Sequence, residues 1–268
     1  MTSSADQFAR LHQRGRPLLL PNAWDAGSAK LLQWLGFEAI ATTSSGHAAT
    51  LGRLDGSVSR EEALAHAAAI VSASDVPVSA DLENCFADDP AGVAETVSLA
   101  IEAGLAGCSI EDFSGDTEHP IYDLASAHER VAAAAEAAMG RLVLTARAEN
   151  YFHGIEDLDD TITRLEAYEE AGADVLYAPG LTDPRDIKRV VEALTRPVNV
   201  LARPKGPSVP ELAELGVARV SFGGALAFGA YASLIEAATE LRERGTYSFL
   251  ERSAVGARAV GEAFNRSS

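Results

Sequence analysis

The chain has 268 residues, 47% of them hydrophobic, which is enough for one large domain with a full apolar core and unlike a disordered or fibrous sequence. Its formal net charge of −17 argues against nucleic acid and anionic membrane as partners, and its two cysteines, Cys85 and Cys108, argue against a disulfide framework. No apolar run reaches the ~18 residues of a membrane span, and the opening MTSSADQFARLHQRGRP lacks the apolar core of an export signal, so the cytoplasm is the expected location.

In chain order, buried strands are expected near 17–22, 39–44, 76–82, 107–111, 142–148, 174–178, 198–202 and 219–223. Amphipathic helices are expected between and after them, near 25–35, 60–74, 91–103, 123–139, 156–171, 183–194, 208–215 and 225–243. One phrase recurs as WLGFEAIATT, EAGLAGCSIE, EAGADVLYAP and ELGVARVSFG: a helix end, a glycine, a short spacer and an apolar strand. The glycines, Gly36, Gly104, Gly172 and Gly216, read as helix caps. Such alternation makes a parallel sheet, and eight repeats are the size of a closed (β/α)8 barrel. An open doubly wound sheet is the alternative, weakened because PNAWDAGS, not G-x-G-x-x-G, follows the first strand. Residues 1–268 are expected to form one barrel domain, with 245–268 a helical extension packed on the barrel or on a neighbouring subunit.

In a barrel, chemistry sits on the loops after the strands. Two strands end abruptly in acids, VSADLEN at Asp81 and Glu83 and CSIED at Glu111 and Asp112. Side chains alternate along a strand, so Asp81 and Glu83 are expected on one face, and Glu111 reaches the same rim from the neighbouring strand. Three acids crowded in a half-dry cleft are costly without a cation, so Asp81, Glu83 and Glu111 are read as a hard-metal site for Mg²⁺, with Mn²⁺ as a substitute, held partly through water. The competing reading has them capping helices or pairing with arginines.

Thr42 to His47 form a small-residue turn whose hydroxyls and N–H groups suit a carboxylate or phosphate, and Thr43, Ser44, Ser45 and Gly46 are the substrate-binding candidates there. Asp55 lies in the long connection that follows, able to enter the site, or else a turn aspartate before Gly56. Arg147 and Glu149 alternate on the fifth strand, where a guanidinium can clamp an anionic oxygen or balance the neighbouring acids. Asn199 on the seventh strand and Arg203 after it complete the substrate-binding candidates. His119 and Tyr122 in the loop after the fourth strand, and His153 after the fifth, are weaker proton-donor candidates, and His12, His66 and His128 are read as helix-surface residues. Cys85, beside carboxylates, is expected to have a raised pKa, and Cys108 to be core. Of three lysines, Lys30 and Lys188 fall on helices and only Lys205 nears a strand end, which favours metal-assisted enolate chemistry over an imine.

These residues together resemble the isocitrate lyase/phosphoenolpyruvate mutase superfamily from about residue 17 to 243. The resemblance is carried by PNAWDAGSAKLLQWLGFEAIATTSSG, LG followed by Asp55, ADLENCFADDP, SIED, LTARAEN and EAGADVLYAPG. It implies a (β/α)8 barrel whose eighth helix is swapped between subunits of a homodimer or homotetramer. It implies Mg²⁺ held mostly through water at Asp81, Glu83 and Glu111, and 2-oxo acids or their adducts as small carboxylate substrates. It also implies that Thr43, Ser44 and Ser45 hold the substrate carboxylate, that Asp55 lies on a gating segment, and that Arg147 contacts an enolate oxygen. The chain departs from the pattern in having Glu83 for an aspartate and Cys85 for a glycine. Its lid, EDFSGDTEHPIYDL, lacks both the K-K-C-G-H cysteine of the lyases and the lysine and asparagine of the phosphonate mutases.

The expected activity is therefore a Mg²⁺-dependent carbon–carbon lyase acting on a 2-oxo acid or its adduct, with Arg147, Asp55 and Glu111 as catalytic residues. A phosphonomutase, an oxaloacetate hydrolase or decarboxylase, and a non-catalytic barrel that binds a 2-oxo acid are the alternatives.

Overall fold

A computed structural model describes residues 3–265, so the first two and last three positions of the expected 1–268 domain lie outside the described residues. The chain opens with a capped helix, α1 (Ser4–Leu11), and continues through β1 (Leu18–Leu20), β2 (Asn22–Ala23), α2 (Ala26–Trp34), β3 (Ile40–Thr42), α3 (Ser44–Thr50) and α4 (Arg60–Ser72). Strand and helix then alternate as β4 (Val78–Asp81), α5 (Pro90–Glu102), β5 (Gly107–Glu111), α6 (Leu124–Ala138), β6 (Val143–Arg147), α7 (Leu158–Glu170), β7 (Val175–Tyr177) and α8 (Pro184–Ala193). The last elements are β8 (Val198–Leu201), α9 (Val209–Glu214), β9 (Arg219–Ser221), α10 (Ala225–Arg244) and α11 (Leu250–Asn265).

Every strand pairs in parallel, in the order β1-β9-β8-β7-β6-β5-β4-β3-β2. The first and second strands are two halves of one stave: β1 pairs with β9, β2 pairs with β3, and Pro21 stands between them. Proline has no N–H to give to a ladder, so the stave breaks where it changes partner; the Pro21 carbonyl still accepts from Ala41 N at 2.9 Å. The result is the expected eight-stave (β/α)8 barrel.

Period-two alternation divides the two sides of the wall. On β6, Leu144 and Ala146 join the apolar layer under the helices, while Thr145 and Arg147 project toward the axis. Helix-terminating glycines lead into strands as the repeated phrase predicts; Gly172 after α7 adopts φ +105°, a left-handed conformation that L side chains avoid.

Two helices were not expected. The first, α1, closes the end of the barrel where the strands begin: Phe8 is fully buried against Leu18, Leu20, Val143 and Val175. A Cβ on Gly107 would stand 2.7 Å from the Phe8 ring, so only glycine admits this plug. The second, α3, turns the start of the long connection after β3 into one capped segment, with Thr43 accepting from Gly46 N. At the other end of the chain, α10 lies off the barrel wall. Ala227 is its one buried residue, while Leu234 and Ile235 are about two-thirds exposed, and α11 packs back on α2.

Candidate active site

The staves bring a row of polar side chains into register across the barrel: Glu111 opposite Arg147, Arg147 opposite Tyr177, Tyr177 opposite Asn199, and Asn199 opposite Arg219. Residues in register on adjacent strands face the same side, so this row is directed inward. It borders a cavity of about 300 Å³ whose lining includes Thr43, Ser44, Ser45, Asp55, Asp81, Arg147, Asn199 and Arg203.

Arg147 is the hub. Its Nε donates to Glu149 Oε1 at 2.7 Å, its Nη1 to Asp81 Oδ1 at 2.9 Å, and its Nη2 lies 3.1 Å from Glu111 Oε2. Burial opposes its charge, but Glu111, Glu149 and Asp81 outweigh that, so the guanidinium is held well above its usual pKa. Burial pushes Glu111 well above the usual carboxylate range, against the pull of Arg147. The guanidinium balances the neighbouring acids, one of the two roles foreseen for Arg147.

Asp81 is tied from several sides. Its backbone N–H donates to Thr42 Oγ1 at 2.9 Å, and its Oδ2 accepts from Ser44 N at 3.2 Å. Glu83 reaches the rim by another route than alternation. The strand stops at Asp81, Leu82 turns fully into the core, and Glu83 takes φ +49°, followed by Cys85 at +60° and Phe86 at +54°. Three L-residues in the left-handed region cost roughly 1 kcal/mol or more each, and such strain concentrates where a side chain must be aimed. Burial, then the charges of Asp81 and Asp55, push the Glu83 carboxyl up to about 7. Asp55 is raised by burial and by Asp81, against a hydrogen bond from Ser44.

Among the described residues no three Asp, Glu, His or Cys side chains gather closely enough to cage a metal ion directly. The donor set nonetheless fits a hard cation held largely through water. All its donors are carboxylate oxygens; Arg147 serves Asp81, Glu111 and Glu149, whereas Glu83 and Asp55 form no ion pair among the described residues. The imbalance that raises Glu83 is one a divalent ion would relieve.

The other expected residues sort clearly. Arg203 stands at the mouth with its guanidinium 5.6 Å from the Phe152 ring centre. His119 is almost wholly exposed and pairs with Asp116, and the Tyr122 hydroxyl donates to Asp88 Oδ1 at 2.7 Å; neither lines the cavity. His153 stacks on Phe113 at 4.0 Å. Cys85 is buried, which pushes its thiol up to about 12, and Cys108 is core.

Sequence reasoning misplaced two histidines and missed a support network. His66 is no surface residue: its Nε2 lies 2.9 Å from Trp24 O and its ring stacks on His47 at 3.7 Å. His12 is half-buried under the barrel, 3.2 Å from Arg219. Behind the hub, buried Asp112 accepts from Glu149 N, Arg164 Nη1 and Tyr168 Oη at 2.8, 3.2 and 2.6 Å. Arg164 and Tyr168 lie four apart on α7, a helical spacing that places both on the face toward β5.

A closed parallel barrel with acids and arginine at the strand ends defines a (β/α)8 enzyme. The phosphoenolpyruvate phosphomutase family profile matches residues 8–242, and the chain belongs to that family, within the isocitrate lyase/phosphoenolpyruvate mutase superfamily. It is 35% identical over 217 residues, 81% of each chain, to an uncharacterised protein of Mycobacterium tuberculosis (strain ATCC 25618 / H37Rv). It is 30% identical over 201 residues to 2,3-dimethylmalate lyase of Eubacterium barkeri, covering 72% of this chain and 68% of that one. A crystal structure from Burkholderia cenocepacia J2315, described as a lyase/mutase, superposes with a TM-score of 0.93 at 51% identity, over 97% of this chain and 95% of that one. The chain is a lyase-type enzyme of carbon–carbon bond cleavage.

Proposed function

We propose that this lyase is Mg²⁺-dependent, with Mn²⁺ able to substitute, and that it cleaves or forms the carbon–carbon bond beside a 2-oxo acid through the enolate of that acid. The observation that carries the reading is the strand-end cluster: three acids, Asp81, Glu111 and Glu149, paired to one arginine, with Glu83 unpaired beside them among the described residues, and Asp81, Asp55 and Arg147 lining a cavity sized for a small acid.

Asp81, Glu83 and Glu111 would hold the ion, which would supply Lewis-acid charge for the developing enolate. The hydroxyls of Thr43, Ser44 and Ser45 receive the substrate carboxylate, Gly46 holds their turn through its N–H bond to Thr43 Oγ1, and Asn199 and Arg203 meet the substrate's remaining polar atoms. Glu111 fixes Arg147, whose guanidinium gives preorganised charge to the oxygen on which the enolate develops. In the cleavage direction Asp55 takes the proton from a hydroxyl of the adduct, the electrons of that O–H bond form the carbonyl of the departing fragment, and the pair of the broken carbon–carbon bond becomes the enolate. Protonation at carbon then releases the 2-oxo acid. Asp55, which lines the cavity and whose carboxyl is raised by burial, returns the proton it took. Phe152, Phe222, Leu201 and Pro204 form an apolar wall that limits water.

The same reading makes the protein a homodimer or homotetramer in which α10 packs against a second copy. It is supported by Leu226, Phe228, Leu234, Ile235 and Leu241, which α10 leaves exposed.

The test is turnover of 2-oxo and 2-hydroxy dicarboxylates with Mg²⁺ and then with a chelator. Product that disappears on chelation and returns with Mg²⁺ or Mn²⁺ is expected. Product formed equally in chelator removes the metal from the reaction, and Asp81→Ala at full rate removes Asp81.

A further inference from the structure

Arg219 is a guanidinium buried at the floor of the cavity whose hydrogen-bond partners are all neutral. Its Nε donates to Asn199 Oδ1 at 2.9 Å, its Nη2 to Thr145 Oγ1 at 3.1 Å, and its Nη1 lies 3.2 Å from His12 Nε2. His12 Nδ1 lies 2.9 Å from Phe8 O, an acceptor, so Nδ1 carries the ring proton and Nε2 accepts from Arg219. Buried charges in proteins are ordinarily paired with an opposite charge. The acids of this site are drawn instead to Arg147, three staves away in the inward row.

A guanidinium only donates, so Asn199 must turn its oxygen to Arg219. Its Nδ2 then donates to Ser221 Oγ at 2.9 Å, and that nitrogen's second hydrogen remains for the cavity that Asn199 lines. We propose that Arg219 is a positioning residue: it locks the Asn199 carboxamide with its N–H toward the cavity, so that this wall accepts an anionic oxygen, the carboxylate or enolate of a 2-oxo acid. The inference rests on the substrate class proposed above. Reversed, the amide would turn a carbonyl toward that anion and repel it. Burial pushes the Arg219 pKa down to about 10, which leaves the group charged at neutral pH.

The test has one arm with ligand and one without. In the first, oxalate, a stand-in for the enolate of pyruvate, is titrated by calorimetry with Mg²⁺ into wild type, Arg219→Met, Arg219→Lys, Asn199→Ala and the double variant Arg219→Met/Asn199→Ala. Arg219→Met is expected to bind about 10-fold more weakly, Arg219→Lys to recover most of that loss, and the double variant to bind no more weakly than Asn199→Ala alone, since interacting residues are not additive. Wild-type affinity in Arg219→Met, or a double variant that loses the product of both factors, overturns the proposal. The second arm reads the Asn199 side-chain amide resonances, assigned as the pair missing from Asn199→Ala. They are expected to move in Arg219→Met and hold in Arg219→Lys, and an unmoved pair in Arg219→Met overturns the assignment. If Arg219→Met does not fold, Ser221→Ala, which removes the other anchor of the amide, is expected to shift that pair and weaken oxalate severalfold; an unshifted pair overturns the proposal. A wild-type protein that fails to bind oxalate counts against the substrate class, and the amide pair still decides the role of Arg219.

Discussion

The site turns on one residue that three acids share. Arg147 spends every arm of its fork on Glu149, Asp81 and Glu111. Replacing it with methionine would leave three partly or fully buried carboxylates without their common cation. Removing one partner of a buried ion pair typically costs about 3–5 kcal/mol, so Arg147→Met is expected to lower the denaturation midpoint sharply and to cut kcat/KM by at least ~100-fold. Arg147→Lys is expected to rescue little of the rate, because an ammonium cannot donate along three fixed directions. Chemical denaturation and steady-state kinetics check both. Tyr168→Phe removes the 2.6 Å bond to buried Asp112 and is expected to cost about 1–3 kcal/mol by thermal or chemical unfolding, with a smaller effect on rate than at Arg147. Much of this site was readable from the residues. Asp81, Glu111 and Arg147 stand at strand ends where alternation and pairing place them, and the structure gathers them. Glu83 was aimed correctly for the wrong reason, since no pattern in D-L-E-N-C-F announces a left-handed turn. Arg219 was missed although a signal existed: an arginine between Ala218 and Val220, both facing the helices, must face the axis.

At the level of elements, the surprise is α1. Eight residues at the start of a chain carry little periodic signal, and nothing in SADQFARL says that Phe8 will plug a barrel. That burial also hides a titration. Burial, then the charge of Arg219, lowers the His12 pKa to about 3, against about 6.5 in the unfolded chain. The folded state therefore binds fewer protons than the unfolded state between those values. This contribution to stability is intact above pH 6.5, falls by up to about 1.4 kcal/mol per unit as pH drops below it, and levels off near pH 3. His12→Gln, which keeps a hydrogen-bonding side chain without that titration, is expected to flatten the acid limb of stability measured by urea melts from pH 7 to 4. A slope equal to wild type would remove His12 from acid unfolding. Helix α3 was missed for a related reason: seven residues, SSGHAAT, are too few to show a period.

Taken whole, the molecule gathers Asp81, Glu83 and Glu111 at one rim, with Glu83 unpaired among the described residues, so a divalent ion is expected to stabilise the fold as well as the reaction. An ion present at about 100 times its dissociation constant adds about 2.7 kcal/mol, so the thermal midpoint is expected to rise with Mg²⁺ and return on chelation, and Asp81→Ala/Glu83→Ala is expected to abolish the rise. The two last helices make a separate prediction. Sedimentation is expected to show a dimer or tetramer, and charged substitutions at Leu234 and Ile235, each about two-thirds exposed on one chain, are expected to shift it toward monomer. The eight-stave plan was legible because glycine caps and buried strands repeat with one rhythm. The fate of α10 was not legible from periodicity, because an amphipathic helix does not say which copy of the barrel its apolar side meets.

The break at Pro21 has a consequence for how the protein is made. Leu18–Leu20 wait for Arg219–Ser221, roughly two hundred residues downstream in the sequence. At a ribosomal pace on the order of 10 residues per second, the seam stays open for tens of seconds. Throughout that time the nascent sheet has two bare flanks, at β1 and at the newest strand, each a template for another chain. Only the arrival of the last stave, Arg219–Ser221, covers the flank at Leu18–Leu20 and closes the ring.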